Sequence, residues 1–155
     1  MILDSLLEFA DATSVAASAG TALIGDVIDL QEARDIGNGE PIYLVIQCDT
    51  SIITAGAAGT VKFELVSDAQ AAIATDGSAT VHFDTGTFVT DGDDANDLDA
   101  GATIAAVALP MEGNAYERYL GILCTTATTT TTAGAINAFL TKDVAKWKAY
   151  ADASN

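Results

Sequence analysis

The feature that most constrains the fold of this chain is a strand–turn–strand pattern over Val27–Asp49. Its second half follows Pro41 and alternates with a period of two, which is typical of a β-strand. One face of that strand carries Ile42, Leu44, Ile46 and Cys48, and the other carries Tyr43, Val45, Gln47 and Asp49. Gly37, Asn38 and Gly39 lie between the two halves and tolerate positive φ angles. The chain is therefore expected to turn sharply here and to leave the turn extended.

Short segments of the same kind recur along the rest of the chain, separated by turns rich in Gly, Asp and Asn. They are Ala22–Leu30, Thr60–Ser67, Thr80–Phe83, Thr87–Thr90, Thr103–Leu109, Tyr119–Thr125 and Gly134–Thr141. A loop is expected over Thr50–Gly59, and an exposed hairpin or sheet edge over the threonine run Thr125–Thr132. Seven or eight short strands with little helix predict an all-β fold, an antiparallel β-sandwich or jelly roll. A chain of 155 residues is expected to form one such domain, spanning 1–155.

Both ends of the chain are expected to extend from this sandwich as arms. Residues 1–21 form either an N-terminal arm or a short helix, because Leu6, Leu7 and Ala10 recur at helical spacing. Residues 143–155 form a C-terminal arm or a helical turn that carries Trp147 and Tyr150. Exposed apolar side chains at the ends of a soluble chain suit contacts with another subunit, so these two aromatic residues are interface candidates.

The charge of the chain excludes several classes of partner. It has 22 acidic and 6 basic residues, a formal net charge of −16. Nucleic acids and anionic membranes are bound by Lys and Arg, so neither is an expected direct partner. No apolar stretch approaches the ~20 residues of a membrane span, and acidic residues occupy the place of a basic leader. The charge fits a very soluble protein, or one that meets a basic or polar protein surface.

The most acidic segment, Asp91–Gly101, is a weak candidate for calcium binding. Clustered carboxylates suit this ion, and the candidate ligands are Asp91, Asp93, Asp97 and Asp99. The segment does not follow the EF-hand pattern, because the sixth position has no Gly and Ala102 stands where the bidentate Glu belongs. The alternative is a solvated acidic loop, and no metal or cofactor is expected.

No pattern in the sequence indicates catalysis. His82 is the only histidine, and the chain contains neither a GxSxG nucleophile motif nor a phosphate-binding glycine motif. A structural role is expected for His82, and the protein is not expected to be an enzyme. Cys48 and Cys124 both lie in apolar strand segments, so they are expected to be buried, reduced thiols.

Two arginines stand out because basic residues are scarce. Glu32 and Asp35 flank Arg34, and Glu117 precedes Arg118. Arginine forms bidentate pairs with carboxylates, so each could be a structural ion pair that locks a turn to a strand end. The alternative is that each anchors a protein–protein interface.

Several pieces of the sequence, taken in order, resemble the capsid cement, or decoration, proteins of short-tailed bacteriophages, best known from a Bordetella phage. The pieces are MILD with LEF and DA, VIDL followed by ARDIGNGEP, YLVIQCDT, ALP with YERYLGI, and KDVAKWKAYA. The segment Ser67–Gly101 matches least. None of these pieces is catalytic, and it is their order and spacing that carry the resemblance.

The resemblance implies a jelly roll that binds the outside of an assembled capsid as a dimer or higher oligomer. Such a protein bridges neighbouring major capsid proteins, has no enzymatic activity or cofactor, and reaches the virion exterior after synthesis in the host cytoplasm. The alternative is a carbohydrate- or calcium-binding β-sandwich module. That alternative requires a platform of exposed aromatic side chains, for which the sequence offers one Trp and four Tyr.

Overall fold

Eight β-strands build the fold of the described residues, which are 4–37, 39–56, 58–90, 98–111 and 113–144 of a computed structural model. A short 3-10 turn, Ser5–Leu7, precedes the first strand. The strands are β1 (Glu8–Ser14), β2 (Gly20–Asp29), β3 (Tyr43–Thr54), β4 (Thr60–Asp68), β5 (Thr80–Val89), β6 (Thr103–Ala108), β7 (Tyr119–Ala127) and β8 (Thr131–Thr141).

The strands form two four-stranded antiparallel sheets, ordered β1-β8-β3-β6 and β2-β7-β4-β5. The pairing is nested along the chain: β4 pairs with β5, β3 with β6, β2 with β7 and β1 with β8. The pairs β3–β8 and β4–β7 then join these nested pairs into two sheets. This is the connectivity of a jelly roll, and it confirms the predicted antiparallel β-sandwich.

The core lies between the two sheets and is built by the period-two alternation of the strands. Leu44, Ile46 and Cys48 of β3 face this core, as their spacing predicts. Its large buried side chains include Phe9, Leu44, Ile46, Ile52, Phe63, Leu65, Tyr116, Leu120, Ile122 and Ile136. Because burying one such side chain contributes about 1.5–3 kcal/mol, this layer holds the sheets face to face.

A second, smaller apolar cluster lies on the outer face of the β2-β7-β4-β5 sheet. The connection between β4 and β5 folds back so that Ile73 packs against Val66 and Leu123. Gly121 leaves room for this contact, because a Cβ atom there would lie 2.5 Å from the Ile73 Cδ1 atom. The connection is therefore part of the packed structure.

The N-terminal segment is a strand of the sandwich, which corrects the arm or short helix expected for 1–21. Strand β1 pairs with β8, and Phe9 and Val15 are each 1% exposed. Among residues 4–21, helical character is limited to the 3-10 turn Ser5–Leu7, which begins where the Leu6 amide donates to the Asp4 carboxylate at 3.0 Å. The spacing of the leucines continued only one turn, which is too short to distinguish a helix from a turn that leads into a strand.

Two other expectations need correction. Strand β3 continues to Thr54, so about half of the loop expected over Thr50–Gly59 is strand. The two pieces expected at 80–83 and 87–90 form one strand, because Gly86 adopts a φ of 74° that lets β5 bend and continue. Of the C-terminal arm expected over 143–155, residues 145–155 lie outside the described residues.

The two cysteines are buried free thiols, as predicted. Cys48 lies on β3 and Cys124 on β7, in opposite sheets. Burial raises the pKa of each thiol to about 11, because the interior disfavours the thiolate.

Candidate functional surfaces

An acidic cleft of about 230 Å³ opens where the sheet edges β1 and β2 meet. Its lining residues are Ser5, Glu8, Phe9, Ala10, Asp11, Thr13 and Asp26. Three of them are acidic and none is basic, so the cleft favours cationic groups over anionic ones.

Irregularities in both edge strands shape this cleft. The register of β1 on β8 shifts between Ala10 and Thr13, and that of β2 on β7 shifts between Ile24 and Ile28. Asp11 and Asp26 lie within these two irregular stretches, and bulges commonly redirect side chains at sheet edges. The strands approach so closely at Gly25 that a Cβ atom there would lie 1.9 Å from the Phe9 carbonyl oxygen.

Exposed leucines precede this cleft. The side chain of Leu6 is 78% exposed and that of Leu7 is 38% exposed, and both lie in the 3-10 turn that leads into β1. We call Leu6, Leu7 and the lining of the cleft the N-terminal edge. Its acidic residues come from separate strands, so the sequence does not indicate that they meet. The one signal is Gly25, which interrupts the apolar pattern of β2.

Arg118 forms a bidentate ion pair that joins the end of β2 to the start of β7. Its Nε and Nη2 atoms donate to the two carboxylate oxygens of Asp29, each at 2.8 Å, and its guanidinium lies 4.9 Å from the centroid of the Tyr119 ring. This hydrogen bonding lowers the pKa of Asp29 to about 2. The neighbouring Glu117 accepts instead from the Thr80 hydroxyl at 2.8 Å. The sequence singled out Arg118 but not Asp29, its partner.

Arg34 does not form the lock that the sequence suggested for its turn. Its Nη1 atom lies 3.7 Å from Glu32, and both side chains are more than half exposed. Exposed pairs of this length contribute little stability. The turn is tied to the body through Asp35, whose carboxylate accepts from the Tyr116 amide at 3.4 Å. The role of Arg34 at an interface stays a prediction.

His82 belongs to a polar cluster at one end of the core. Its Nε2 atom lies 2.7 Å from the Ser67 Oγ atom, and its ring stacks on Tyr116 with centroids 3.9 Å apart. His82 is the extra residue of a bulge, since Leu65 opposes Phe83 while Val66 opposes Val81. Burial lowers the pKa of His82, although nearby carboxylates act in the opposite direction. The sequence does not indicate this cluster, because its members come from separate segments.

The Ser67–His82 pair does not have the setting of a hydrolytic centre. A serine nucleophile needs an accessible Oγ atom and donors for the developing oxyanion. Ser67 is fully buried, and its Oγ atom already accepts the Glu117 amide at 3.1 Å. The pair therefore joins β4, β5 and the segment that leads into β7.

Five of the predicted site residues lie outside the described part of the chain: Asp91, Asp93, Asp97, Trp147 and Tyr150. Asp99 is described, and its carboxylate accepts from the Ser51 hydroxyl at 3.4 Å. Within the described ranges, no three His, Cys, Asp or Glu side chains are grouped so that they could hold a metal ion. The described residues also include no helix that is long and apolar enough to cross a membrane.

The nested pairing defines this protein as a jelly-roll β-sandwich. One edge of the sandwich is acidic and partly apolar. Residues 9–140 match the model of the Bbp16 family, from β1 to β8, and the chain belongs to that family. Bbp16 is the name of a Bordetella phage protein, so the family is one of phage proteins. No curated protein matches the chain.

Proposed function

We propose that the protein is a non-enzymatic capsid cement, or decoration, protein. It binds the outer surface of the assembled phage capsid and stabilises the shell by bridging neighbouring major capsid proteins. The observation that carries the proposal is membership of a phage protein family on a jelly-roll fold, an architecture that also serves in viral capsids.

The charge of the chain supports a protein that stays dispersed until it meets a shell. A net charge of −16 opposes aggregation in bulk solution and favours a basic or polar protein surface over nucleic acid. Many copies on one shell, each as a homodimer or higher oligomer, allow weak single contacts to sum by avidity.

The N-terminal edge is the surface that best suits the shell contact. Leu6 offers an apolar side chain that is 78% exposed, and Glu8, Asp11 and Asp26 supply negative charge in the adjoining cleft. A site on the major capsid protein with an apolar pocket beside a Lys or Arg side chain complements both features. Burying a leucine there contributes about 1.5–3 kcal/mol per contact.

The function is tested by mixing the purified protein with capsid shells that lack it. The protein is expected to sediment with the shells to saturation and to raise the temperature or pressure at which they open. Shells that already carry a full complement serve as the control and are expected to bind none. A protein that neither sediments with bare shells nor protects them contradicts the proposal.

The contact surface is tested with Leu6→Ser and a matched control, Val81→Ser. Val81 is 47% exposed and lies on β5, at the opposite edge of its sheet from β2. Both variants are expected to keep the unfolding free energy within about 0.5 kcal/mol, because both sites are on the surface. Only Leu6→Ser is expected to weaken binding to shells, by about tenfold or more. Equal binding by the two variants would show that Leu6 is not part of the contact. The separate proposal that the protein binds shells would still stand.

A further inference from the structure

The hydrogen bonds around Ser67 determine which nitrogen of His82 carries the proton. The Glu117 amide can only donate, so the Ser67 Oγ atom accepts it, at 3.1 Å. The hydroxyl proton of Ser67 is then left for the His82 Nε2 atom, at 2.7 Å. Ser67 is fully buried, and in the described part of the chain its Oγ atom has no other partner. The geometry therefore favours a neutral imidazole with a bare Nε2 atom and its proton on Nδ1.

Protonation of His82 disrupts this arrangement. A proton on Nε2 must donate towards the Ser67 Oγ atom, which leaves the hydroxyl proton of Ser67 without an acceptor in a buried position. Leaving a buried donor unsatisfied is unfavourable, so either the hydroxyl stays unpaired or Ser67 rotates and releases the Glu117 amide. The charged imidazolium also loses hydration, because His82 is partly buried.

The segment that this affects is the connection between β6 and β7, of which residues 109–111 and 113–118 are described. The Tyr116 hydroxyl donates to the Pro110 carbonyl at 2.9 Å, and the Tyr116 ring lies against His82 with an angle of 17° between the ring planes. The next residue, Glu117, donates its amide to Ser67. Two consecutive residues of the connection thus contact the His82–Ser67 pair, and one of them, Glu117, is hydrogen-bonded to it.

The charged groups that act on His82 come from two connections. Glu117 lies in the β6–β7 connection and Asp35 in the β2–β3 connection, and both carboxylates favour the imidazolium. Each is engaged elsewhere, Glu117 with the Thr80 hydroxyl and Asp35 with the Tyr116 amide. Desolvation of the ring outweighs them, so the pKa of His82 lies below its ordinary value.

We propose that His82 is a proton-operated latch on the β6–β7 connection. Its neutral form accepts the Ser67 hydroxyl proton, so that Ser67 can accept the Glu117 amide, and protonation loosens the connection. The inference concerns the isolated protein and does not depend on shell binding.

The sign of the pH dependence follows from the lowered pKa of His82. The unfolded chain takes up a proton near pH 6.5, whereas the folded chain takes it up only at lower pH. The contribution of neutral His82 to the stability of the fold is complete above about pH 6.5. It is lost as the pH falls towards the pKa of His82 in the folded chain. For each pH unit the equilibrium constant for folding falls by at most about tenfold, because only one proton is bound.

Nitrogen NMR of the unmodified protein is the first test, and the single histidine makes the assignment unambiguous. At pH 8 the unprotonated nitrogen is expected to be Nε2. Amide hydrogen exchange then compares Glu117 with Cys48, which lies on β3 in the sheet that does not contain His82 and whose amide donates to the Ala102 carbonyl. After correction for intrinsic rates, protection at Glu117 is expected to fall between pH 7 and pH 5, while protection at Cys48 holds.

A variant supplies the second test. His82→Gln can present an amide oxygen to the Ser67 hydroxyl but does not titrate, so its Glu117 protection is expected to be independent of pH over the same range. A proton on Nε2 at pH 8, or equal pH dependence of the Glu117 amide in His82→Gln and the natural chain, would overturn the latch. The NMR result stands even if the variant does not fold.

Discussion

Replacing Gly25 with Ala tests the close approach of β1 and β2 that closes one side of the sandwich. Gly25 has a φ of 66°, in the left-handed region, where a Cβ atom costs about 1–2 kcal/mol. The added Cβ atom would also lie 1.9 Å from the Phe9 carbonyl oxygen. That oxygen belongs to the backbone and cannot rotate away, so β1 itself must shift.

The size of that shift sets the expected loss of stability. Protein Cβ atoms essentially never approach another heavy atom within 3.0 Å, so the strands must separate by about 1 Å at this point. Overpacking of this kind costs about 1–3 kcal/mol, and with the backbone strain the total is about 2–5 kcal/mol. Against a typical stability of about 5–15 kcal/mol, the variant is expected to fold with a clearly lower unfolding midpoint.

Gly86→Ala is the matched control for this experiment. Gly86 has a similar φ of 74°, but a Cβ atom there would meet nothing within 4 Å. It is expected to lose only the backbone cost, about 1–2 kcal/mol, so the difference between the variants isolates the clash with Phe9. Urea unfolding followed by circular dichroism measures both. Equal losses in the two variants would refute the reasoning that β1 is fixed against β2 at this position.

Three further predictions concern the core, a surface ion pair and the buried thiols. Phe63→Ala is expected to cost about 3–5 kcal/mol of unfolding free energy, because Phe63 is fully buried, and a loss below about 1 kcal/mol in urea unfolding would contradict its place in the core. Arg118 lowers the pKa of Asp29 to about 2. The contribution of the ion pair to the free energy of unfolding is therefore present above about pH 4 and is lost as the pH falls towards 2. In Asp29→Asn the free energy of unfolding is therefore expected to fall less between pH 4 and pH 2 than in the natural chain. An unchanged pH dependence would mean that the pair does not form in solution. Cys48 and Cys124 are expected to react with a thiol reagent at pH 8 only after unfolding, and rapid labelling of the native protein would show that the thiols are accessible.

The sequence predicts the strands well where apolar and polar side chains alternate over several residues. Strand β4 begins at Thr60 as predicted and ends one residue later than expected, and β3 begins within one residue of its predicted start. Alternation succeeds there because the inward-facing side chains are buried, whereas Lys62 and Glu64 on the outer face of β4 stay partly exposed. The prediction fails for β1, because leucines at helical spacing cover only one turn before a strand whose pairing with β8 is irregular.

The contacts between strands could not be read from the sequence. The sequence suggests Glu117 as the partner of Arg118, but neighbouring residues of an extended chain point to opposite sides. The observed partner, Asp29, comes from β2. The cluster of Ser67, His82 and Tyr116 likewise depends on the jelly-roll connectivity. Pairing of this kind follows from the order of strands in the sheets, which a period of two does not specify.

The nested pairing of the strands has a consequence for how the protein is made. The innermost pair, β4 and β5, is close in sequence, whereas β1 pairs with β8 from the far side of the chain. Loop closure between distant segments is slow, so the β4–β5 hairpin is a natural place for folding to start. During synthesis β1 leaves the ribosome first, yet it must wait for β8 before it can complete its sheet. The N-terminal edge therefore takes its final shape only after almost the whole fold has been synthesised.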